Sequence, residues 1–153
     1  MLAGEYAVLQ GHTALACTVD ARIQATIEPA AKSSLSSDLW DAPIDLAADA
    51  VNEEQQPLVS YVKQCRTDGQ AFHLRVTSEF PVTYGIGSSS AVGLASTAAI
   101  NHFFDDHDDW LPAKVHQTQR QWQKRASGYD IATQYSGGVV FFKNAVISTW
   151  PVS

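Results

Sequence analysis

A strand-like run, a glycine- and serine-rich loop and a small-residue helical run follow one another between residues 71 and 104. No other stretch so narrows what the chain can fold into. Ala71-Phe-His-Leu-Arg-Val-Thr-Ser-Glu79 alternates, with Phe72, Leu74 and Val76 on one face of a strand expected over Ala71–Phe80. Pro81-Val-Thr-Tyr-Gly-Ile-Gly-Ser-Ser-Ser-Ala91 follows, and the pattern predicts a helix over Ser88–Phe104, its Ala, Gly and Ser content implying close packing on a sheet. Gly85 and Gly87 permit positive φ and close approach of the backbone to a ligand. The first N–H groups of a helix lack intrahelical partners, and the macrodipole favours an anion there. Ser88, Ser89 and Ser90 add hydroxyls suited to phosphate oxygens or Mg²⁺. The loop alone is equally a serine-capped helix after a glycine turn.

Three look-alikes are set aside by residue content. A Walker A loop ends in Gly-Lys-Ser/Thr, and no lysine lies between Arg75 and Lys114. The dinucleotide fingerprint requires a third small residue and a later acid within a βαβ unit, which Gly85-x-Gly87-x-x-Ser90 meets only loosely. A nucleophile elbow requires Gly-x-Ser-x-Gly, and Ala91 occupies its last place.

The 153 residues suit one domain with a core. A net charge of −6 without a basic patch argues against nucleic acid as a partner. The acidic run Asp105-Asp106-His107-Asp108-Asp109 reads as a solvated helix-end loop before it reads as a metal site. Cys17 and Cys65 form no Cys-x-x-Cys pattern, so zinc and thioredoxin-like readings lack support. Residues 1–20 carry no basic leader, and no run of 18 apolar residues predicts a membrane span. The expectation is a cytoplasmic protein with no membrane partner.

Further elements follow from periodicity. Glu5–Leu9 and Ala14–Ile27 read as strands, with His12 in the turn between them, and Pro29–Asp41 as a loop. Leu46–Arg66 reads as mainly helical, broken or restarted at Pro57, with Leu58, Val59, Val62 and Cys65 as its apolar stripe. Pro112 suits the first turn of a helix running to about Lys124, and a short helix is expected after Asp130. Val139–Lys143 and Ala145–Trp150 form a hairpin pattern. The sum is an α+β pattern.

Three segments in order resemble the GHMP kinases: Ala3-Gly-Glu-Tyr-Ala-Val-Leu-Gln-Gly-His-Thr-Ala-Leu-Ala16, the loop at Pro81–Ala91, and Ser127-Gly-Tyr-Asp-Ile-Ala-Thr-Gln-Tyr-Ser-Gly-Gly138. Gly-Glu-Tyr-Ala-Val-Leu, and an aromatic before Asp130, are most similar to the phosphomevalonate kinase and mevalonate kinase branch. The resemblance implies the family's N-terminal domain, an α+β fold of the ribosomal protein S5 domain 2-like kind, with a mixed sheet packed with helices. It implies ATP and Mg²⁺ as cofactors, with the nucleotide on Gly85, Ile86, Gly87, Ser88, Ser89, Ser90 and Ala91, and Ser88 or Ser89 at the metal. Asp130 matches the catalytic aspartate, which orients or deprotonates the acceptor, or organises a lysine where the acceptor is a phosphate. Glu5, Tyr6, His12, Ser127 and Gly128 fall in segments implied to bind a small-molecule substrate. Read without the resemblance, Asp130 is a helix N-cap and Glu5 a polar strand-edge residue.

The departures are also specific. Family members carry a Pro-Gly-Lys-like stretch ahead of the first motif and a Gly-rich motif in a second half. The expectation is thus a single N-terminal domain over 1–153, truncated at both ends relative to the family. Many members place a Mg²⁺-binding glutamate on the helix before the catalytic aspartate, where His116-Gln-Thr-Gln-Arg-Gln-Trp-Gln-Lys124 offers Gln119. Two functions stand: a kinase domain acting on mevalonate, phosphomevalonate or a related acceptor, and a non-catalytic module that binds nucleotide or protein. The surface left by an absent second domain implies a homodimer or a separate C-terminal-domain partner.

Overall fold

The computed structural model describes residues 1–47, 51–65, 67, 69–106, 111–123, 126–144 and 146–150. Its strands divide into two sheets. β1 (Ala14–Cys17), β6 (Val139–Lys143) and β7 (Val146–Trp150) form an antiparallel sheet in the order β1-β6-β7. β2 (Ile23–Pro29), β3 (Ser34–Ser37), β4 (Ile44–Asp45) and β5 (Phe72–Ser78) form a mixed sheet in the order β2-β5-β3-β4, with β3 and β5 parallel. Among the described residues four α-helices pack on them: α1 (Gln56–Lys63), α2 (Ser88–Phe103), α3 (Leu111–Trp122) and α4 (Tyr129–Ser136). α2 lies on β2 and touches the other three helices, while α4 rests on β1 and β6. Among the described residues no helix is long and apolar enough to cross a membrane.

The main core is built by the expected alternation. Phe72, Leu74 and Val76 of β5 are buried against Leu58, Val59, Val62 and Cys65 of the α1 region, with Leu35 and Ile100 completing the cluster. Pro57 sits in the first turn of α1, where its missing N–H costs nothing. Small residues let α2 come close to its neighbours: a Cβ added to Gly93 would fall 2.6 Å from Tyr61 Cζ and 2.7 Å from Val115 Cγ1.

Four expected elements are corrected. Among its described residues the Leu46–Arg66 segment is helical only over Gln56–Lys63. The Glu5–Leu9 strand is replaced by a 3-10 helix over Ala7–Gln10, closed by Leu9 N donating to Tyr6 O at 3.3 Å and Gly11 N to Val8 O at 3.2 Å. The pairing edge lies upstream, where Leu15 N donates to Ala3 O at 2.9 Å. The Ala14–Ile27 strand is two strands in different sheets: β1 runs out of partners at Cys17↔Val139, and β2 takes up pairing with β5 at Ile23↔Ser78. Period-two patterning ran through the break because each flanking strand is half-buried. The Pro29–Asp41 loop contains β3, whose serines pair with β5 and bury only Leu35. Asp105 is exposed and Asp106 half-buried, while 107–109 of the acidic run lie outside the described residues.

Candidate functional site

α2 begins at the glycine-rich loop. Gly87 is its N-cap at φ 85°, and no side chain caps this end. An L-residue strains at that φ, and a Cβ there would also fall 2.7 Å from Gln134 Nε2. Gln134 Nε2 donates to Gly87 O at 2.9 Å, pinning the loop from α4. The helix therefore presents its positive end through main chain alone, the arrangement that attracts an anion.

α4 brings Asp130 to the same place. The N-cap of α4 is Gly128, and Asp130 lies inside the first turn, so the reading of Asp130 as an N-cap is corrected. Ile131 N donates to Asp130 Oδ1 at 3.0 Å, and Ser90 Oγ of α2 donates to Asp130 Oδ2. From α3, Gln119 Nε2 donates to Ser90 Oγ at 3.0 Å and to Ser89 Oγ at 3.2 Å. Ser90 and Gln119 are 0% and 2% exposed. Tyr61 OH, Trp122 Nε1 and Gln119 Oε1 are buried without hydrogen-bond partners. Burial pushes the Tyr61 phenol far above its ordinary range, and the charge of Asp130 adds to the rise. Tyr129 is raised by burial first, then by Asp130 and Glu5.

Two clefts share Asp130 in their lining. The larger, about 500 Å³, lies between β1, the start of β2 and the N-terminus of α2, and is lined by Cys17, Arg22, Gly85, Ile86, Gly87, Ala91 and Thr133 among others. The smaller, about 210 Å³, is lined by Glu5, Tyr6, Leu9, Gln119, Gln123, Ala126 and Ser127. Tyr129 and Asp130 line both. The larger volume is that of an ordinary small-molecule site.

The sequence-predicted residues thus separate into groups. Gly85, Ile86, Gly87 and Ala91 face the larger cleft; Glu5, Tyr6 and Ser127 face the smaller. Ser90 turns its hydroxyl inward to Asp130, and Ser89 accepts from Gln119. Gly128 is buried beneath His116, whose Nε2 lies 2.9 Å from Ala126 O; that carbonyl can only accept, so Nε2 carries the proton. His12 is exposed and lines neither cleft. Arg22 and Gln134 were not singled out in the sequence. Arg22 carried no signal, since it read as one polar position of a strand. Gln134 was legible only as the residue one helical turn beyond Asp130.

Among the described residues no three His, Cys, Asp or Glu side chains gather to hold a metal. The donors at the loop are serine hydroxyls and the Asp130 carboxylate. These hard oxygens fit Mg²⁺ of the kind held largely by phosphates, with one carboxylate at most from the protein.

Residues 46–138 match the family described as GHMP kinases N terminal domain. The mevalonate kinase of Methanothermobacter thermautotrophicus is 27% identical over 146 residues, covering 92% of this chain and 46% of that protein. The mevalonate kinase of Archaeoglobus fulgidus is 28% identical over 149 residues, covering 93% and 49%. Among solved structures, the Methanococcus jannaschii mevalonate kinase superposes with a TM-score of 0.83 at 18% identity, covering 97% of this chain and 52% of that one. The Streptococcus pneumoniae phosphomevalonate kinase in complex with phosphomevalonate and AMPPNP gives 0.82 at 20% identity, covering 92% and 46%. The chain spans about half the length of the curated relatives it matches.

Proposed function

The chain belongs to the GHMP kinase N-terminal domain family, and from that premise we propose that it is the ATP-binding domain of a small-molecule kinase. The observation that carries this reading is the position of Asp130 on the wall shared by two clefts. The larger cleft takes the nucleotide, its phosphates at the uncapped end of α2 on Gly85, Ile86, Gly87 and Ala91. The smaller takes the acceptor, against Glu5, Tyr6 and Ser127. Its class is mevalonate, phosphomevalonate or a related alcohol or phosphate, as the names of the similar proteins suggest.

Phosphoryl transfer is mostly positioning and charge stabilisation. Here the helix end and loop N–H groups hold the phosphates, and the two clefts set donor and acceptor beside one carboxylate. With an alcohol acceptor, Asp130 accepts the hydroxyl proton as the new O–P bond forms and the β,γ-bridging O–P bond breaks, releasing ADP. Mg²⁺, held by the Ser88 or Ser89 hydroxyl with the nucleotide's own phosphates, would supply charge neutralisation. Tyr129, kept protonated beside Asp130, adds no competing negative charge.

Calorimetric titration of the full chain with a non-hydrolysable ATP analogue, with and without Mg²⁺, tests the reading. Saturable Mg²⁺-dependent binding is the expected result. A folded chain that binds no analogue overturns it, and one that binds yet transfers no phosphoryl group to mevalonate or phosphomevalonate leaves a non-catalytic nucleotide-binding module.

A further inference from the structure

We propose that Ser90 and Gln119 are positioning residues that hold Asp130 through a directed relay, amide to hydroxyl to carboxylate. The inference rests on the reading of Asp130 as the group that handles the acceptor proton. Its basis is proton accounting among three buried or half-buried groups on three helices. An ionised carboxylate only accepts, so the single proton of Ser90 Oγ goes to Asp130 Oδ2. The Ser90 oxygen then needs a donor, and Gln119 Nε2 stands 3.0 Å away. The orientation of the Gln119 amide follows. Turned over, it would set its oxygen against a serine oxygen whose proton is already committed, lone pair facing lone pair. Its second N–H reaches Ser89 Oγ at 3.2 Å, so one amide directs two hydroxyls of the loop.

This arrangement explains why an amide at position 119 serves where a carboxylate would not. A glutamate has no N–H for either serine, and its oxygens would compete with Asp130 for the Ser90 proton. Ser90 and Gln119 therefore work as a pair. A second tie, Gln134 Nε2 to Gly87 O at 2.9 Å, comes from the same helix as Asp130. Together they lock the nucleotide loop and the carboxylate into one unit. The Ile131 N–H and the Ser90 hydroxyl hold both carboxylate oxygens, fixing the side chain while lone pairs remain for an acceptor.

The test compares Ser90→Ala, the near-isosteric Gln119→Glu, their double variant and Asp130→Asn in the full chain. The readouts are ATP-analogue Kd, and kcat and KM with mevalonate and phosphomevalonate as probes. Misplacing a reacting group by about 1 Å costs on the order of 100-fold. We expect Ser90→Ala and Gln119→Glu each to lower kcat by about 10- to 100-fold. Because Ser90 lines neither cleft, the Kd and KM of Ser90→Ala should stay within about 2-fold of wild type. The double variant should be no worse than the poorer single one, because both break one relay. A merely structural role would instead move Kd, KM and melting temperature together with kcat. Wild-type kcat in Ser90→Ala, or turnover in Gln119→Glu at or above wild type, overturns the relay while leaving Asp130 in its role. Wild-type kcat in Asp130→Asn, or a wild-type chain without turnover on either probe, overturns the reading of Asp130 and the relay with it.

Discussion

The two ends of α2 are built for opposite purposes. At its C-terminal end, Ile100 is fully buried, and Phe103 and Phe104 stack edge-on at 5.0 Å, with Phe104 lying 5.7 Å from Phe72. This end is held by apolar area removed from water, at about 25 cal/mol per Å². At its N-terminal end the buried residues are Ser90 and Gly93, the cap is a bare glycine, and hydrogen bonds to α3 and α4 join the apolar packing of Val92 and Leu94 on Tyr61, Val115 and Ile131. Polar groups there are buried for direction, since a hydrogen bond contributes about 1 kcal/mol net but fixes geometry closely. One helix therefore anchors the core with one end and aims the site with the other.

The separation can be broken most forcefully at the apolar end. Ile100→Ala should cost about 2–5 kcal/mol in urea unfolding, the range for emptying a buried aliphatic site. The ATP-analogue Kd of the folded chain should stay within about 2-fold of wild type. A Kd that rises as stability falls would mean the two ends are not independent. Gly93→Ala probes the middle of the helix. A methyl there meets Tyr61 and Val115 at under 3 Å, an overpacking that costs about 1–3 kcal/mol. Better helix propensity returns up to about 1 kcal/mol, so a net loss of about 1 kcal/mol by thermal melting is expected.

The smallest effect lies under the polar end. The Tyr61 phenol is buried without a partner and its pKa is raised. A raised folded-state pKa gives stability that is complete below the unfolded value of about 10 and is lost as pH climbs from there toward the folded value. Tyr61→Phe should therefore flatten the alkaline limb of the stability curve. At pH 7 it should be neutral or stabilising by up to about 1 kcal/mol, because an unpartnered hydroxyl is removed. Urea melts at pH 7 and pH 10.5 measure both. An unchanged alkaline limb would show that the phenol is not held protonated by its surroundings.

Much of this was legible along the chain. The stripe Leu58, Val59, Val62, Cys65 and the alternation Phe72, Leu74, Val76 gave one core because helical and strand periods are local properties. Gly85 and Gly87 marked the loop because positive φ restricts residue choice locally. The pattern failed where partners decide. Residues 18–22 keep period two, yet pairing passes there from one sheet to the other. Ala7–Gln10 has strand-like composition but closes on its own carbonyls as a 3-10 helix. Ser34–Ser37 looks like loop, yet β5 supplies it with a ladder.

The site divides in the same way. The glycine- and serine-rich loop was legible from residue type and short spacing, whereas Asp130 stood out only through a resemblance, since spacing alone read it as an N-cap. The meeting of Ser90, Gln119 and Asp130 spans 40 residues between Ser90 and Asp130, and 29 between Gln119 and Ser90. No local rule encodes a hydrogen bond between three separate helices. It exists because small residues such as Gly93 let α2 pack closely on its neighbours, bringing buried polar groups within 3 Å of one another. Only the tertiary structure could set the direction of that bond, because the side each amide and hydroxyl presents depends on what is buried beside it.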